Sequence, residues 1–394
     1  MIKKRNKGSF IYVSVILILF ICFSIGIAQI DRTDKYKRMI ASAKDVPMWQ
    51  ADTHELVSEA EFKHNFEIAN HQGNKDARVP TDNITSIVMP GLRGAWSVDH
   101  KTKRASFGNN WVPQGITQNS SYFFISLYDG DHKRNSLIIV IDKQNRQYVK
   151  SLILDSKSHV GGLAYDVEHD RLWWSNDGTQ FAGLSYAYLS DIKQYQPTEE
   201  EPTLKSQRIA IPWASRTSGI AYHNHEMFIV KYGLNVANRT IAVMAFNPDT
   251  GLPSDNQQVQ VVYKGTSLQE YIETLIKEKK IKSVASGFDR MQGLAITKYN
   301  LALITQSNGD DNSVLMVVQP NGKTGSKFDY TDDVAGAKKI VLPPSVEQVN
   351  TNNNNSMSLI FESGAKMYRE QGQVSKRAKI IDRIVTIPIT VSQE

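Results

Sequence analysis

The chain predicts an all-β fold, a β-propeller of about five blades with six as the alternative, on three observations. Units of roughly 45 to 50 residues each contain about four short β-rich runs. Four units open on the same pattern: Gln114-Gly115-Ile116-Thr117, Gly161-Gly162-Leu163-Ala164, Ser218-Gly219-Ile220-Ala221 and Gln292-Gly293-Leu294-Ala295. Runs such as Ile138-Ile139-Val140-Ile141 are apolar without alternation, as expected of strands covered on both faces by neighbouring blades.

Taken from the amino terminus, Lys3, Lys4, Arg5 and Lys7 precede an uncharged stretch over residues 10–30. Its length is about that of one bilayer-crossing helix and exceeds the apolar core of an ordinary signal peptide. Residues 1–30 are therefore expected to be a signal anchor, with cleavage near Ala28 as the alternative. The basic flank places that end in the cytoplasm and the body outside a cell membrane. Residues 31–82 are polar and predict a linker or helical stalk, because Ser58 and Glu61 form a capping box ahead of the i, i+4 pair Phe62 and Phe66. Residues 83–394 hold the repeats.

The recurring glycines 115, 162, 219 and 293 are spaced unevenly, and insertions account for the drift. The larger one, residues 266–286, is expected to be helical: Ser267 and Glu270 form a second capping box, and Leu268, Tyr271, Ile272, Leu275 and Ile276 follow helical spacing. A fifth, degraded unit begins at Ser345-Val346-Glu347-Gln348-Val349, where the glycine is absent. Closure of the ring is expected between residues 84–98 and 380–389, since an open ring leaves unpaired strand edges.

Composition narrows function by exclusion. The chain has 394 residues, a formal charge of +6, one cysteine and 41% hydrophobic residues. One cysteine closes no intrachain disulfide and builds no cysteine zinc cluster. Four of the excess positive charges lie in residues 3–7, so the remaining body carries +2 and lacks the footprint of a nucleic-acid binder. GxSxG, Walker, GxGxxG and HExxH motifs are all absent.

In a propeller, the residues heading each innermost strand and those following each second strand share one rim of the central channel. That places Gln114, His159 with Val160, Ser218, Gln292 and Glu347 with Gln348 at one mouth, together with Asp129, Asn176 with Asp177, Lys231, Gln306 and Glu362. Gln114, Asp129, Asp177, Lys231, Gln292, Gln306 and Glu347 are the candidate ligand-binding residues. Glu362 and His159 are the candidate acid–base pair. Asp129 and Asp177 are the candidate metal ligands and calcium the candidate cofactor, with no cofactor as the alternative. His223-Asn224-His225 falls in a hairpin on the opposite rim.

From about residue 111 to 368 the chain resembles exported bacterial β-propeller proteins, many uncharacterised, through Trp111-Val112-Pro113-Gln114-Gly115-Ile116-Thr117, Ser158-His159-Val160-Gly161-Gly162-Leu163-Ala164 and Phe361-Glu362-Ser363-Gly364. It is more distantly similar to plant-type glutaminyl cyclases, five-bladed propellers with Gln-Gly-aliphatic unit starts. Gln114-Gly115-Ile116 and Gln292-Gly293-Leu294 match that start, while Asp129 stands where those cyclases carry Glu. Lactonases and strictosidine-synthase-like propellers add a calcium-centred analogy on fold alone. The resemblance implies the fold and export. The missing catalytic motifs, the anchor and the ring of polar loops point to a membrane-tethered module that binds a polar ligand or an extracytoplasmic protein at its channel mouth, with a lactonase-, hydrolase- or glutaminyl-cyclase-like enzyme using Glu362 and His159 as the alternative.

Overall fold

The computed structural model describes residues 39–73, 78–79, 81–177, 182–234, 239–253, 268–318, 337–352, 355–370 and 380–389. The expected anchor over residues 1–30 and the Ser267 cap lie outside the described residues. Among the described residues no helix is long and apolar enough to cross a membrane.

Five four-stranded antiparallel sheets make up the unit Ser42–Glu394. The first blade runs Trp111–Gln118, Tyr122–Asp129, Leu137–Asp142 and Gln147–Ile153 from the axis outward. The second runs Leu163–Asp166, Arg171–Asn176, Gly183–Tyr188 and Gln207–Ala210. Thr217–His223, Glu226–Lys231, Thr240–Ala245 and Ser283–Ser286 form the third, and Met291–Ile296, Ala302–Asn308, Asp311–Val318 and Lys338–Leu342 the fourth. The fifth combines Val346–Thr351, Ser356–Phe361 and Arg383–Pro388 with Thr85–Val88 from the other end of the chain, in register Thr85↔Thr386 through Val88↔Arg383.

Ring closure thus uses only the first part of the expected 84–98 segment. Ala95–Val98 instead pairs with Ala105–Gly108 as a separate hairpin, which removes the material for a sixth blade. The Trp111 indole N–H, donating to the Gly108 carbonyl at 2.9 Å, ties that hairpin to the first blade.

Each interface between neighbouring blades has its own apolar core, which explains the non-alternating strands. Ile139 and Ile141 face the core shared with the fifth blade, and Ile138 and Val140 face the core shared with the second. Trp173 and Trp174 likewise point to opposite faces of one strand and are both fully buried.

Two sequence expectations are revised by packing. Helix Glu59–Asn70 forms with Ser58 as its N-cap, the hydroxyl accepting from the Glu61 N–H at 3.2 Å. It is not a stalk: Phe62 and Phe66 are buried in the core between the fourth and fifth blades, each stabilising by about 1.5–3 kcal/mol. The residues before it grip the closing strand, where the Asp382 carboxylate accepts from the Leu56 and Val57 N–H groups and Arg383 donates to Glu55 and the Val57 carbonyl. In the expected helical insertion, the helix covers Leu268–Lys277, but Ser283–Ser286 is the third blade's outermost strand. Leu275 anchors that helix in the core between the second and third blades.

The degraded fifth unit holds the axis. Gln348 occupies the place of the missing glycine, and its side chain crosses to three other blades. Its Oε1 accepts from the Ile116 and Leu163 N–H groups at 3.0 and 2.8 Å, and its Nε2 donates to the Leu163 and Ile220 carbonyls, both at 2.7 Å. A Cβ at Gly293 would lie 2.6 Å from the Gln348 Cα, and one at Gly115 would lie 3.0 Å from its Oε1. Both positions therefore exclude larger residues because the backbones and this amide converge there.

Replacing Gln348 with Ala strands two N–H and two carbonyl groups, and urea denaturation is expected to show a loss of about 3–5 kcal/mol. Gln348→Glu keeps the shape but has no donor for the Leu163 and Ile220 carbonyls, so a comparable loss is expected. A Gln348→Glu protein as stable as the parent contradicts the four-bond assignment.

Candidate functional site at the channel mouth

The innermost strands do not enter the mouth smoothly. Pairing with the second strand slips between Pro113 and Ile116, Thr217 and Gly219, Met291 and Gly293, and Val346 and Val349. Such bulges re-aim side chains at a strand's end. Arg216, Arg290 and Ser345, each three residues ahead of the axial position, have φ of 63°, 57° and 64°. This left-handed backbone costs energy for non-glycine residues and recurs at one rim in three blades.

On that rim, Glu347 and Glu362 form a coupled acid pair. Glu347 is 1% exposed. Burial first, and the Glu362 carboxyl second, raise Glu347 well above the usual carboxyl range. Glu362 is also raised by burial, opposed by hydrogen bonds from Tyr368, Glu347 and Gln114. The Gln114 contact, Nε2 to Glu362 Oε1, is 2.6 Å. Both shifts favour the protonated acids, Glu347 more than Glu362, and the two carboxyls titrate as a unit. The buried Oε1 of Glu347 has no hydrogen-bond partner.

Aromatic residues complete this part of the rim. Burial, followed by the Glu362 and Glu347 carboxyls, pushes the Tyr128 phenol above its ordinary value, and the same groups act on Tyr368. Both phenols stay protonated and available as donors. Tyr128 packs with Val112 and Ala365, and its outer face carries the His159 imidazole, stacked at 4.0 Å between ring centres. His132 lies 5.7 Å from Tyr128 and 5.8 Å from His159. Burial against Tyr128 and the nearness of His132 lower the His159 pKa below the usual histidine value.

The structure gathers Gln114, Glu347 and Glu362 and sets His159 beside them through Tyr128. It does not gather the rest. Asp129 is buried and braces its own loop: Oδ2 accepts from the Lys133 N–H, the Arg134 N–H and the Arg134 guanidinium, at 3.0, 2.9 and 3.1 Å, and Oδ1 from the Asp131 N–H at 3.3 Å. Asp177 is exposed and lies near Lys231 and Arg208. Lys231 donates to the Trp213 carbonyl at 2.8 Å, and Gln306 to the Asp289 carbonyl at 2.9 Å. Gln292 is half-buried at the fourth blade's bulge. Calcium fits this donor set poorly, since both Asp129 oxygens are engaged and no group of three or more metal-capable side chains occurs among the described residues.

Tyr128 and Tyr368 are absent from the sequence-derived set. Strand alternation held a signal for the first, because consecutive residues point to opposite faces and Asp129 and Tyr128 cannot both face the mouth. Tyr368 stands on helix Lys366–Glu370, which follows the fifth blade's second strand and has no counterpart in the other repeats.

No family model matches the chain, and no curated protein matches it. Solved structures do. Hydrazine synthase of Kuenenia stuttgartiensis aligns at 12% identity over 63% of this chain and 55% of that one, with a TM-score of 0.32. A quinoprotein alcohol dehydrogenase-like protein of Bacteroides thetaiotaomicron aligns at 10% identity over 71% and 58%, with a TM-score of 0.34. The PQQ-bound aldose sugar dehydrogenase of Streptomyces coelicolor aligns at 10% over 76% and 99%, with a TM-score of 0.42. The chain spans little more than half the length of the first two. Similarity at this level extends to general architecture and carries nothing about activity.

The acid pair makes stability depend on pH. Its folded pKa values lie above those of the unfolded chain, so its contribution is complete below the ordinary glutamate value of 4.5 and is lost as pH rises through the raised values. Glu347→Gln mimics the protonated acid, still donating to Glu362. Thermal unfolding is expected to show the parent losing stability relative to Glu347→Gln as pH rises beyond the ordinary glutamate range. Parallel pH profiles for the two proteins contradict the raised titration of Glu347.

Proposed function

We propose that this protein is a membrane-tethered, extracytoplasmic binding propeller whose mouth captures a ligand bearing a protonated amine or an equivalent strong hydrogen-bond donor. The observation that carries this reading is the orphaned Glu347 Oε1 beside the Glu362 carboxylate. A buried acceptor without a partner costs about 1–3 kcal/mol, and a ligand donor relieves that cost while meeting the charge on Glu362. The Tyr128–His159–His132 stack supplies an aromatic wall suited to a cation's flank. The tether rests on the uncharged stretch over residues 10–30 and its basic flank.

Calorimetry with putrescine and with a short peptide bearing a free α-amino group is expected to show binding that weakens about tenfold or more in Glu362→Gln. Equal binding of the N-acetylated peptide overturns the amine reading. For the tether, the full chain is expected to stay in the membrane pellet after alkaline carbonate washing, and a chain starting at residue 31 to be released. Release of both contradicts an uncleaved anchor.

A second reading is favoured by the closeness of the two buried carboxyls, which offers an acid and a base in one site. A cyclase-, lactonase- or hydrolase-type reaction is then expected to use Glu362, with neutral His159 relaying a proton. Turnover of an amino-terminal glutaminyl peptide, a lactone or an ester, abolished by Glu362→Gln, decides for catalysis. No turnover in any of these leaves the binding reading standing.

A further inference from the structure

The mouth on the opposite rim is a second concavity, separated from the acid pair by the Gln348 plug. It has a volume of about 990 Å³, at the upper end of the range of about 300–1,000 Å³ for small-ligand sites. All five blades line it, at the far ends of their innermost strands: Thr117 and Gln118, Ala164 and Tyr165, Ala221 and Tyr222, Ala295 and Ile296, and Asn350 and Thr351. The small third residue of the repeated motif, Thr or Ala in four blades, therefore coincides with open space where a filled barrel carries larger side chains.

We propose that this bowl binds a neutral, polyhydroxylated ligand of mono- or disaccharide size. Charges of both signs line its wall, Glu168 and Asp170 against Lys143, Lys193 and Lys298, so neither an anion nor a cation is singled out. Two of them are held within the wall: Lys143 donates to the Gln118 side chain at 2.8 Å and to the Asn119 carbonyl at 2.9 Å, and Asp170 accepts from the Tyr165 hydroxyl at 3.0 Å. Among them stands a set of amides and hydroxyls that both donate and accept: Gln118 with Asn350 at 3.0 Å, Asn350 with Thr117 at 3.3 Å, and Asn300 with His223 at 3.1 Å. Groups with both capacities match hydroxyls, which are likewise donor and acceptor. The Tyr165 and Tyr222 rings on adjacent blades offer apolar faces for C–H surfaces. On the rim, the lining residue Val167 is 64% exposed, an apolar side chain that a bound ligand covers. This binding is independent of the amine reading at the other mouth.

The test is a glycan array probed with the full chain, followed by calorimetry with maltose, cellobiose and chitobiose, and with sodium phosphate and glucose 6-phosphate as anionic probes. At least one neutral saccharide is expected to bind with a Kd below about 1 mM. Ala221→Phe, which fills the bowl, is expected to abolish binding. Asn300→Ala removes an exposed rim amide outside every core, at a φ of 61° that asparagine adopts more readily than alanine, and is expected to weaken binding about three- to tenfold while lowering the melting temperature by only a few degrees. Retention of anionic probes alone, retention of no saccharide, or unchanged affinity in Asn300→Ala and Ala221→Phe overturns the proposal.

Discussion

Five innermost strands meet around one axis, where four glycines let neighbouring backbones and one amide converge. Gln348 satisfies backbone groups of the first, second and third blades, and Gly293 of the fourth packs against its Cα. A buried backbone donor or acceptor without a partner is costly, so the glycines and the glutamine are interdependent. A Cβ at Gly115 or Gly293 displaces the amide, and a glycine at 348 leaves an unfilled polar hole. The plug also divides the channel into two separate mouths of different chemistry.

One mouth concentrates ionisable groups in a dry setting. Glu347 sits one residue before the plug on the same strand, so the backbone that positions the plug also buries the acid. Glu362 reaches it from the end of the next strand, and helix Lys366–Glu370 adds Tyr368. Burial raises both carboxyls, and the neighbouring Glu362 raises Glu347 further, as at many functional sites. The other mouth is lined by amides and hydroxyls interspersed with charges of both signs, of which Lys143 and Asp170 are hydrogen-bonded within the wall. A buried acid pair and an open bowl of mixed polarity thus occupy the two ends of a single ring.

Much of this was legible in the chain. The Gly-aliphatic-small motif located four innermost strands, and apolar runs without alternation marked strands covered on both faces, such as Ile138 to Ile141. The Ser58 cap and the Phe62/Phe66 pair marked a helix. The rim assignment brought Gln114, Glu347 and Glu362 together correctly, because propeller geometry fixes which strand ends share a mouth. Asp129 was misplaced for the opposite reason: membership of a loop does not say which way a side chain points, and this carboxylate turns back onto its own turn. Helix Glu59–Asn70 looked like a stalk because nothing local reveals which surface its two phenylalanines cover.

By itself, then, the sequence determined what local periodicity and spacing encode: a repeat, its strands, a capped helix, and the apolar stretch over residues 10–30. The tertiary structure alone decided the items that depend on residues far apart in the chain. These are the pairing of residue 85 with residue 386 that completes the fifth blade, the glutamine that plugs the axis where a glycine was missing, and the burial of Glu347 beside Glu362. Each is a contact between groups on different strands, set by how the blades converge, and no window of consecutive residues contains it.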